Sequence, residues 1–214
     1  MTFRRTGFGL ALALILALAL ALGWVLGQWW LRPPSSPPLD IAGIYLPDAQ
    51  PLPTFRLVAQ NGQPFIRDDL IGHWTFLYFG YSYCPDACPL ALVDLNRLQQ
   101  RLVETGVDDE VRYLFVTVDP QRDTPERLRE YVRYFNPKFQ GATGSSEEIN
   151  GLTKALHVFY QRVENPEHPE YYIMDHSSTI SLIDPQARLR AIFTPPQDSA
   201  RMATDFLKIR TIAP

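Results

Sequence analysis

The sequence predicts one α/β domain, a mixed sheet flanked by helices, with an N-terminal transmembrane helix. Two observations lead to this fold class. From Trp74 onward, short apolar runs rich in β-branched and aromatic residues, typical of buried strands, alternate with segments of helical periodicity. Before them, a run without charged residues extends from Thr6 to Leu31, which is long enough to cross a bilayer. A strand, helix, strand order also favours parallel pairing within the sheet.

The N-terminal apolar run predicts a membrane anchor over residues 8–30, behind a cytoplasmic tail of residues 1–7. Arg4 and Arg5 precede the run and only Arg32 closely follows it, and positive charge marks the cytoplasmic side. We therefore expect a single-pass protein of the inner (cytoplasmic) membrane whose C-terminal domain lies on the periplasmic, exported side. A cleaved signal peptide is the alternative, but its apolar core is usually about 7–15 residues long.

A proline-rich segment, residues 31–53, is predicted to link the anchor to a domain over residues 54–214. The segment contains seven prolines and little periodicity, as expected for a stiff and extended linker. The chain has a net charge of −3, and all 23 acidic residues follow the apolar run. Because the sequence has no basic stripe, we expect protein partners and no nucleic acid.

Local patterns predict the elements of the domain, starting with a hairpin around Asn61-Gly62. Strands are predicted at Phe55–Ala59, Gln63–Ile66, Trp74–Phe79, Val111–Val118, Gln140–Thr143, Thr179–Ile183 and Leu189–Phe193. Helices are predicted from Pro89 to Glu104, from a Thr124 cap to Phe135, from Ser146 with apolar positions Ile149, Leu152, Leu156 and Phe159, and from Asp198 to Ile209. The order after Trp74 fits a thioredoxin-like fold with an insertion between Gln140 and Tyr172.

The chain has only two cysteines, Cys84 and Cys88, and they fall between a predicted strand and a predicted helix. A helix N-terminus favours a thiolate over a thiol. One helical turn brings such a pair within about 5–6 Å, close enough to share a metal ion or, after adjustment, to form a disulfide. A disulfide is the default in an exported compartment, but so short a loop constrains the unfolded chain little. We therefore expect a chemical role for the pair.

His176 is the best candidate for a third ligand, because it directly precedes a predicted strand far along the chain. Two thiolates and an imidazole form a soft, low-coordinate set that suits copper, as Cu(I) or Cu(II). Zinc requires a fourth protein ligand, and the sequence has no second cysteine or histidine pair of zinc-site spacing. A satisfied core histidine is the simpler alternative, but a thioredoxin-like sheet brings this loop beside the start of the cysteine helix.

Several neighbours are expected to support these three residues. Asp86 and Asp175 are expected to hold backbone N–H groups or orient the imidazole, or else to give Cu(II) an oxygen ligand. Arg122 is expected to pair with Asp123 or another acid and to shape the rim. Side chains expected at the mouth of the site are Tyr81 and Tyr83, while Met174 is expected to pack in the core. The remaining histidines, expected to face solvent or cap structure, are His73, His157 and His168.

Three motifs together resemble the Sco/SenC family. They are Gly80-Tyr-Ser-Tyr-Cys-Pro-Asp-Ala-Cys-Pro89, Val118-Asp-Pro-Gln-Arg-Asp-Thr-Pro125 and Met174-Asp-His-Ser177. The resemblance covers roughly Leu52 to Arg210. It implies a thioredoxin-like domain that binds copper and assists assembly of cytochrome c oxidase.

By this resemblance Cys84, Cys88 and His176 are the copper ligands, and the protein is a metallochaperone rather than an enzyme. The implied recipient is the binuclear copper site of cytochrome c oxidase subunit II, and a periplasmic copper chaperone is a further partner as donor. The alternative is a membrane-tethered thiol-disulfide oxidoreductase in which Cys84 attacks a target and Cys88 resolves the mixed disulfide. His176 discriminates between them, because a redox-only thioredoxin is expected to have proline there.

Overall fold

The computed structural model describes residues 5–30, 40–168 and 171–213, and the chain divides into two units, Met1–Leu39 and Asp40–Pro214. The first unit contains α1 (Arg5–Trp30), a helix of 26 residues. Within the described ranges, no helix is both long enough and apolar enough to cross a membrane. The anchor over residues 8–30 and the tail over residues 1–7 stay predictions, and residues 1–4 lie outside the described part.

The second unit is an α/β domain built from short strands and four α-helices among its described residues. Its strands are β1 (Ile44–Pro51), β2 (Arg56–Ala59), β3 (Pro64–Ile66), β4 (Trp74–Gly80), β5 (Val111–Thr117), β6 (Gln140–Thr143), β7 (Tyr160–Val163), β8 (Ile173–His176), β9 (Ile180–Ile183) and β10 (Arg188–Phe193). Its helices are α2 (Ala87–Glu104), α3 (Pro125–Phe135), α4 (Ser146–Ala155) and α5 (Ser199–Ile212).

Eight strands form the main sheet in the order β1-β10-β9-β4-β5-β6-β2-β3. β4 pairs in parallel with β5 and β5 with β6, while the other neighbours are antiparallel, so the sheet is mixed as predicted. Every residue of β4 is buried. Because a central strand is covered on both faces, it needs a continuous apolar run, and this is why the sequence predicts β4 and β5 well.

The boundary predicted between linker and domain is wrong, because Ile44–Pro51 forms strand β1 and pairs with β10. Upstream of it, the backbone N–H of Ala42 donates to the Asp205 carboxylate at 2.8 Å. The domain therefore begins near residue 40, while residues 31–39 lie outside the described part. β1 is an edge strand, where prolines are tolerated because one side of the strand pairs with no other strand.

The predicted insertion between Gln140 and Tyr172 provides the first strand of a hairpin that the sequence does not reveal, and the second strand follows directly after it. β7 and β8 form a separate antiparallel hairpin, apart from the main sheet. The helix before it, α4, ends at Ala155, so Phe159, which was predicted on its apolar face, lies beyond the helix and is 59% exposed.

Candidate metal centre

The cysteines lie where β4 passes into α2, as predicted. α2 begins at Ala87, two residues before the predicted start, so Cys88 belongs to the first helical turn and is fully buried. Cys84 lies in the preceding turn, is half-buried, and both thiols are free. The backbone N–H of Cys88 donates to Cys84 Sγ at 3.4 Å. The thiol sulfur thus occupies the place of a helix-capping oxygen.

The side chain of Asp86 does not hold backbone N–H groups at the start of α2. It stands at the N-cap position of α2, but its side chain makes no capping hydrogen bond and is exposed. Its backbone carbonyl accepts a hydrogen bond from Leu90, at 3.3 Å. The prediction that Asp86 holds backbone N–H groups is therefore wrong.

His176 ends strand β8 and reaches the cysteines from the hairpin. Its Nε2 lies 3.3 Å from Cys88 Sγ, and its Nδ1 lies 3.2 Å from the Ser177 carbonyl oxygen. A carbonyl only accepts hydrogen bonds, so Nδ1 carries a proton, and Nε2 is the ring nitrogen that faces the thiols. The rings of Tyr78 and Tyr81 contact the imidazole edge-on, with centroids 6.0 and 6.1 Å away.

The structure brings the three predicted ligands together. The donor atoms of Cys84, Cys88 and His176 all lie within 4.8 Å of one another. A metal ion bound at about 2.0–2.3 Å spans donors up to about 4.6 Å apart, so small movements suffice. Within the part of the chain that the structure describes, no carboxylate joins this group, and Asp175 is exposed.

The pKa values of the two thiols shift in opposite directions. The hydrogen bond from the Cys88 thiol, with further bonds from His176 and from backbone N–H groups, lowers the pKa of Cys84 to about 3 although burial opposes the shift. The same bond to Cys84 raises the pKa of Cys88, and burial and the neighbouring thiolate add to the rise. At neutral pH the reduced site therefore holds one thiolate and one thiol.

The walls of the site are closely packed. A Cβ on Gly80 would lie 2.8 Å from Cys88 Sγ, so only glycine leaves room for the thiol there. Tyr81 is buried against the imidazole, whereas Tyr83 is 52% exposed at the rim. Met174 is buried, as its predicted packing role requires. Burial raises the pKa of Tyr78, whose ring lies under the site.

The loop after β5 contacts the site from one side. Arg122 pairs with an acid, as predicted, and the acid is Asp119 rather than Asp123. Asp123 is fully buried and accepts hydrogen bonds from the backbone N–H and the hydroxyl of Ser82. The sequence shows this loop as a turn followed by a helix cap, and nothing in its composition reveals the burial of these carboxylates.

The remaining histidines lie apart from the metal-capable group. His73 is partly buried, while His157 is exposed and its Nε2 lies 3.3 Å from Gln50 Oε1. His168 is exposed in the loop between β7 and β8.

The fold and the site define a class: a thioredoxin-like α/β domain that presents two thiols and one imidazole beside the end of its central strand. A family model described as SCO1/SenC matches residues 46–211. The chain therefore belongs to the SCO1/SenC family, as the three sequence motifs indicate.

Relatives and solved structures agree with this assignment. A SCO2-like protein of Rickettsia felis is 39% identical over 154 residues, which cover 72% of this chain and 74% of the relative. The crystal structure of Arabidopsis thaliana ScoI with copper bound superposes with a TM-score of 0.69 at 33% identity and covers 74% of this chain and 97% of that one. Yeast Sco1 with copper bound gives 0.69 at 28% identity, covering 77% and 91%. The thioredoxin-like fold is confirmed.

Proposed function

We propose that this protein binds one copper ion through Cys84, Cys88 and His176 and passes it on during cytochrome c oxidase assembly. The observation that carries the proposal is the close approach of two thiols and one imidazole Nε2 in a member of the SCO1/SenC family. Thiolates select Cu(I), and imidazole suits both copper oxidation states. The solved Arabidopsis and yeast relatives, described with copper bound, support the choice of metal.

Each of the three proposed ligands has its own role in binding copper. Cys84 is already a thiolate and half-exposed, so it is the first sulfur that incoming copper meets. Cys88 gives up its proton as it binds, and His176 supplies Nε2 without losing the proton on Nδ1. A set of only three ligands leaves space for a donor atom of the recipient, which permits transfer by ligand exchange.

The proposed recipient is the binuclear copper site of subunit II, and a periplasmic copper chaperone is the proposed donor. The family's association with oxidase assembly supports a recipient within that oxidase. We also propose that residues 8–30 anchor the protein in the inner membrane with the domain on the exported side. The uncharged run behind Arg4 and Arg5 supports this orientation.

Copper titration tests the metal assignment. The full-length chain, purified in detergent with both thiols reduced, is expected to bind one equivalent of copper. Bound Cu(II) should give an intense thiolate charge-transfer band. His176→Ala should bind Cu(II) much more weakly and still form the Cys84–Cys88 disulfide, because only the metal needs the imidazole. Preferential binding of Zn(II) at equal availability would overturn the copper assignment.

A second candidate function is favoured by the two cysteine pKa values, which shift in opposite directions. A half-exposed thiolate beside a fully buried thiol of raised pKa is the arrangement of an attacking and a resolving cysteine. In this reaction Cys84 attacks a target disulfide and forms a mixed disulfide with one target sulfur, while the other target sulfur leaves as a thiolate. Cys88 then attacks Cys84 Sγ and displaces the bound target sulfur, so the target is reduced to two thiols and the Cys84–Cys88 pair is oxidised to a disulfide. If His176→Ala reduces a client disulfide normally and the parent binds no copper, the oxidoreductase is the correct function.

Cell fractionation with N-terminal sequencing tests the anchor. The mature protein should remain in the membrane fraction with Met1 or Thr2 at its N-terminus, and only exported-side protease should reach the domain. A deletion of residues 2–31 serves as the control and should leave the membrane fraction. Recovery of a soluble parent protein that begins after Leu31 would instead identify a cleaved signal peptide.

A further inference from the structure

The donors of the site come from two different parts of the fold. The turn before α2 carries Cys84 and the first turn of α2 carries Cys88, whereas the hairpin β7–β8 carries the imidazole. This hairpin is a separate two-stranded sheet, so no ladder of the main sheet fixes its position. Contacts from outside the main sheet therefore contribute to the distance between His176 and the cysteines.

On the histidine side, three residues close a ring of hydrogen bonds. Arg122 Nε donates to the Asp119 carboxylate, and Arg122 Nη1 donates to the Tyr172 carbonyl oxygen at 3.1 Å. The Tyr172 hydroxyl donates to Asp119 Oδ1 at 2.9 Å. Tyr172 directly precedes β8, and four residues later the same strand ends with His176. The ring thus holds the start of the strand that delivers the imidazole.

Two guanidinium groups that stack on the Tyr172 ring also stabilise the position of this residue. The guanidinium carbons of Arg122 and Arg162 each lie 3.6 Å from the centroid of the Tyr172 ring. Two guanidinium groups cannot share one face at that distance, so they lie on opposite faces. Arg162 belongs to β7, so both strands of the hairpin take part. Asp119 is only 3% exposed, and a charge-assisted bond to so buried a carboxylate is stronger than a surface pair.

On the cysteine side, the same loop holds the turn that leads to Cys84. The Asp123 carboxylate accepts from Ser82 N at 3.0 Å, from Ser82 Oγ at 2.6 Å and from Thr117 Oγ1 at 2.6 Å. The loop is itself fixed, because the Asp119 carbonyl accepts hydrogen bonds from the backbone N–H groups of Arg122 and Asp123. The loop of residues 119–123 therefore makes hydrogen bonds both to the turn that leads to Cys84 and to the residue that precedes β8.

We propose that Arg122 is a positioning residue for His176, and that the loop of residues 119–123 sets the spacing between the imidazole and the two thiols. The inference rests on the proposed function for its purpose, the holding of copper. Its structural claim, that Arg122 holds β8 in place, is measurable on the metal-free protein.

Hydrogen exchange on the full-length, reduced and metal-free chain tests the structural claim. In Arg122→Met, the amides of β8 should exchange roughly tenfold faster, because the hydrogen bond to Tyr172 is lost. The amides of β4 should be unchanged. Arg97→Met is the matched control: Arg97 also pairs with an acid three residues earlier, Asp94, but is 63% exposed on α2. This control should leave β8 unchanged.

Tyr172→Phe is a milder second variant, since it removes the hydroxyl bond to Asp119 and keeps the ring between the guanidinium groups. It should accelerate exchange in β8 less than Arg122→Met does, and Arg122→Lys should partly restore protection. Unchanged exchange in β8 for Arg122→Met overturns the proposal. Equal acceleration in β4 and β8 for both Arg122→Met and Tyr172→Phe also overturns it, in favour of a general stabilising role.

A double-mutant cycle tests the link to the metal. Arg122→Met should weaken Cu(II) binding by about tenfold, at the lower end of the range for residues that orient a ligand. In a His176→Ala background it should cause no further loss, because no imidazole is left to position. Additive losses overturn the proposal. A parent protein that binds no copper would refute the proposed function, while the exchange experiment would still decide the role of Arg122.

Discussion

Cys84 and Cys88 carry identical side chains, yet their surroundings give them opposite charge states. Cys84 sits in front of a helix N-terminus and accepts hydrogen bonds, so its thiolate is stabilised. Cys88 is fully buried beside that thiolate, which keeps it protonated. The place of each cysteine, before the helix N-terminus or inside its first turn, therefore decides which sulfur reacts first.

The lowered pKa of Cys84 predicts a pH dependence of stability in the reduced protein. Unfolded Cys84 ionises near its ordinary value of 9.0 and the folded residue near 3, so its contribution is fully present above pH 9 and is lost as the pH falls toward 3. Urea unfolding should show a larger difference between the parent and Cys84→Ser at pH 8 than at pH 5. Equal differences at both pH values would contradict the thiolate assignment.

The raised pKa of Cys88 acts in the opposite direction. Its contribution is fully present below pH 9 and is lost as the pH rises beyond that value, because the folded state resists ionisation of the buried thiol. In the same urea series, the advantage of the parent over Cys88→Ser should therefore decline above pH 9. An advantage that grows with pH in this window would show that Cys88, and not Cys84, carries the stabilised thiolate.

Gly80 predicts a steric effect. In Gly80→Ala the added Cβ meets Cys88 Sγ at 2.8 Å and Phe115 Cε2 at 2.9 Å, so we expect a loss of about 1–3 kcal/mol in unfolding free energy. Gly151→Ala is the matched control, since it lies in α4 with nothing within 4 Å. That change should stabilise by about 0.5–1 kcal/mol. A neutral Gly80→Ala in urea unfolding would show that the thiol moves freely.

At the scale of elements, α2 and α3 begin in different ways. α3 has a side-chain cap, because Thr124 accepts from Arg127 N at 3.2 Å, and Pro125 occupies its first position. α2 has no side-chain cap from Asp86, and the sulfur of Cys84 accepts a helix N–H instead. The start of the cysteine helix is therefore coupled to the chemistry of its own site.

Two cap substitutions should separate these cases. Thr124→Ala is expected to reduce the unfolding free energy by about 1 kcal/mol, because a capping bond is lost. Asp86→Ala should cost less than about 0.5 kcal/mol, because this exposed side chain makes no capping bond and lies near a thiolate of like charge. Urea unfolding of the reduced variants compares them, and a larger loss for Asp86→Ala than for Thr124→Ala would show that the Asp86 side chain stabilises the start of α2.

The strands and helices differ in how well the sequence predicts them. β4 and β5 are predictable because burial on both faces demands apolar runs. β7 and β8 are not, because most of their residues are exposed and no regular alternation marks them. The start of α2 is misplaced by two residues, since Pro89 imitates a first helical position. The three donors are predictable from chemistry and spacing, whereas the roles of Asp119 and Asp123 depend on tertiary contacts.

At the scale of the whole molecule, β1 completes the domain. Its pairing covers the outer side of β10, and Arg190 Nη1 donates to the Pro47 carbonyl oxygen at 3.0 Å. The buried Asp205 carboxylate accepts from the backbone N–H groups of Ala42 and Gly43. Residues that read as a linker in the sequence are thus part of the folded unit.

Two truncated chains test this boundary. A chain of residues 54–214 loses β1 and leaves the buried Asp205 carboxylate without these two donors, so it should be less stable than residues 40–214 by at least about 3 kcal/mol. Urea unfolding of the two chains under the same reducing conditions measures the difference. Equal midpoints would show that β1 contributes nothing to the fold.

The thiolate and thiol pair has an electrostatic consequence for the proposed cargo. With Cys84 ionised and Cys88 protonated, the two cysteines of the reduced site carry a single negative charge. Cu(I) replaces the Cys88 proton, and two thiolates with one monovalent cation again carry a single negative charge. Loading with Cu(I) is therefore an exchange of one monovalent cation for another. A partner that distinguishes the loaded protein from the empty one must recognise its shape, because the two cysteines with Cu(I) carry the same net charge as the empty pair.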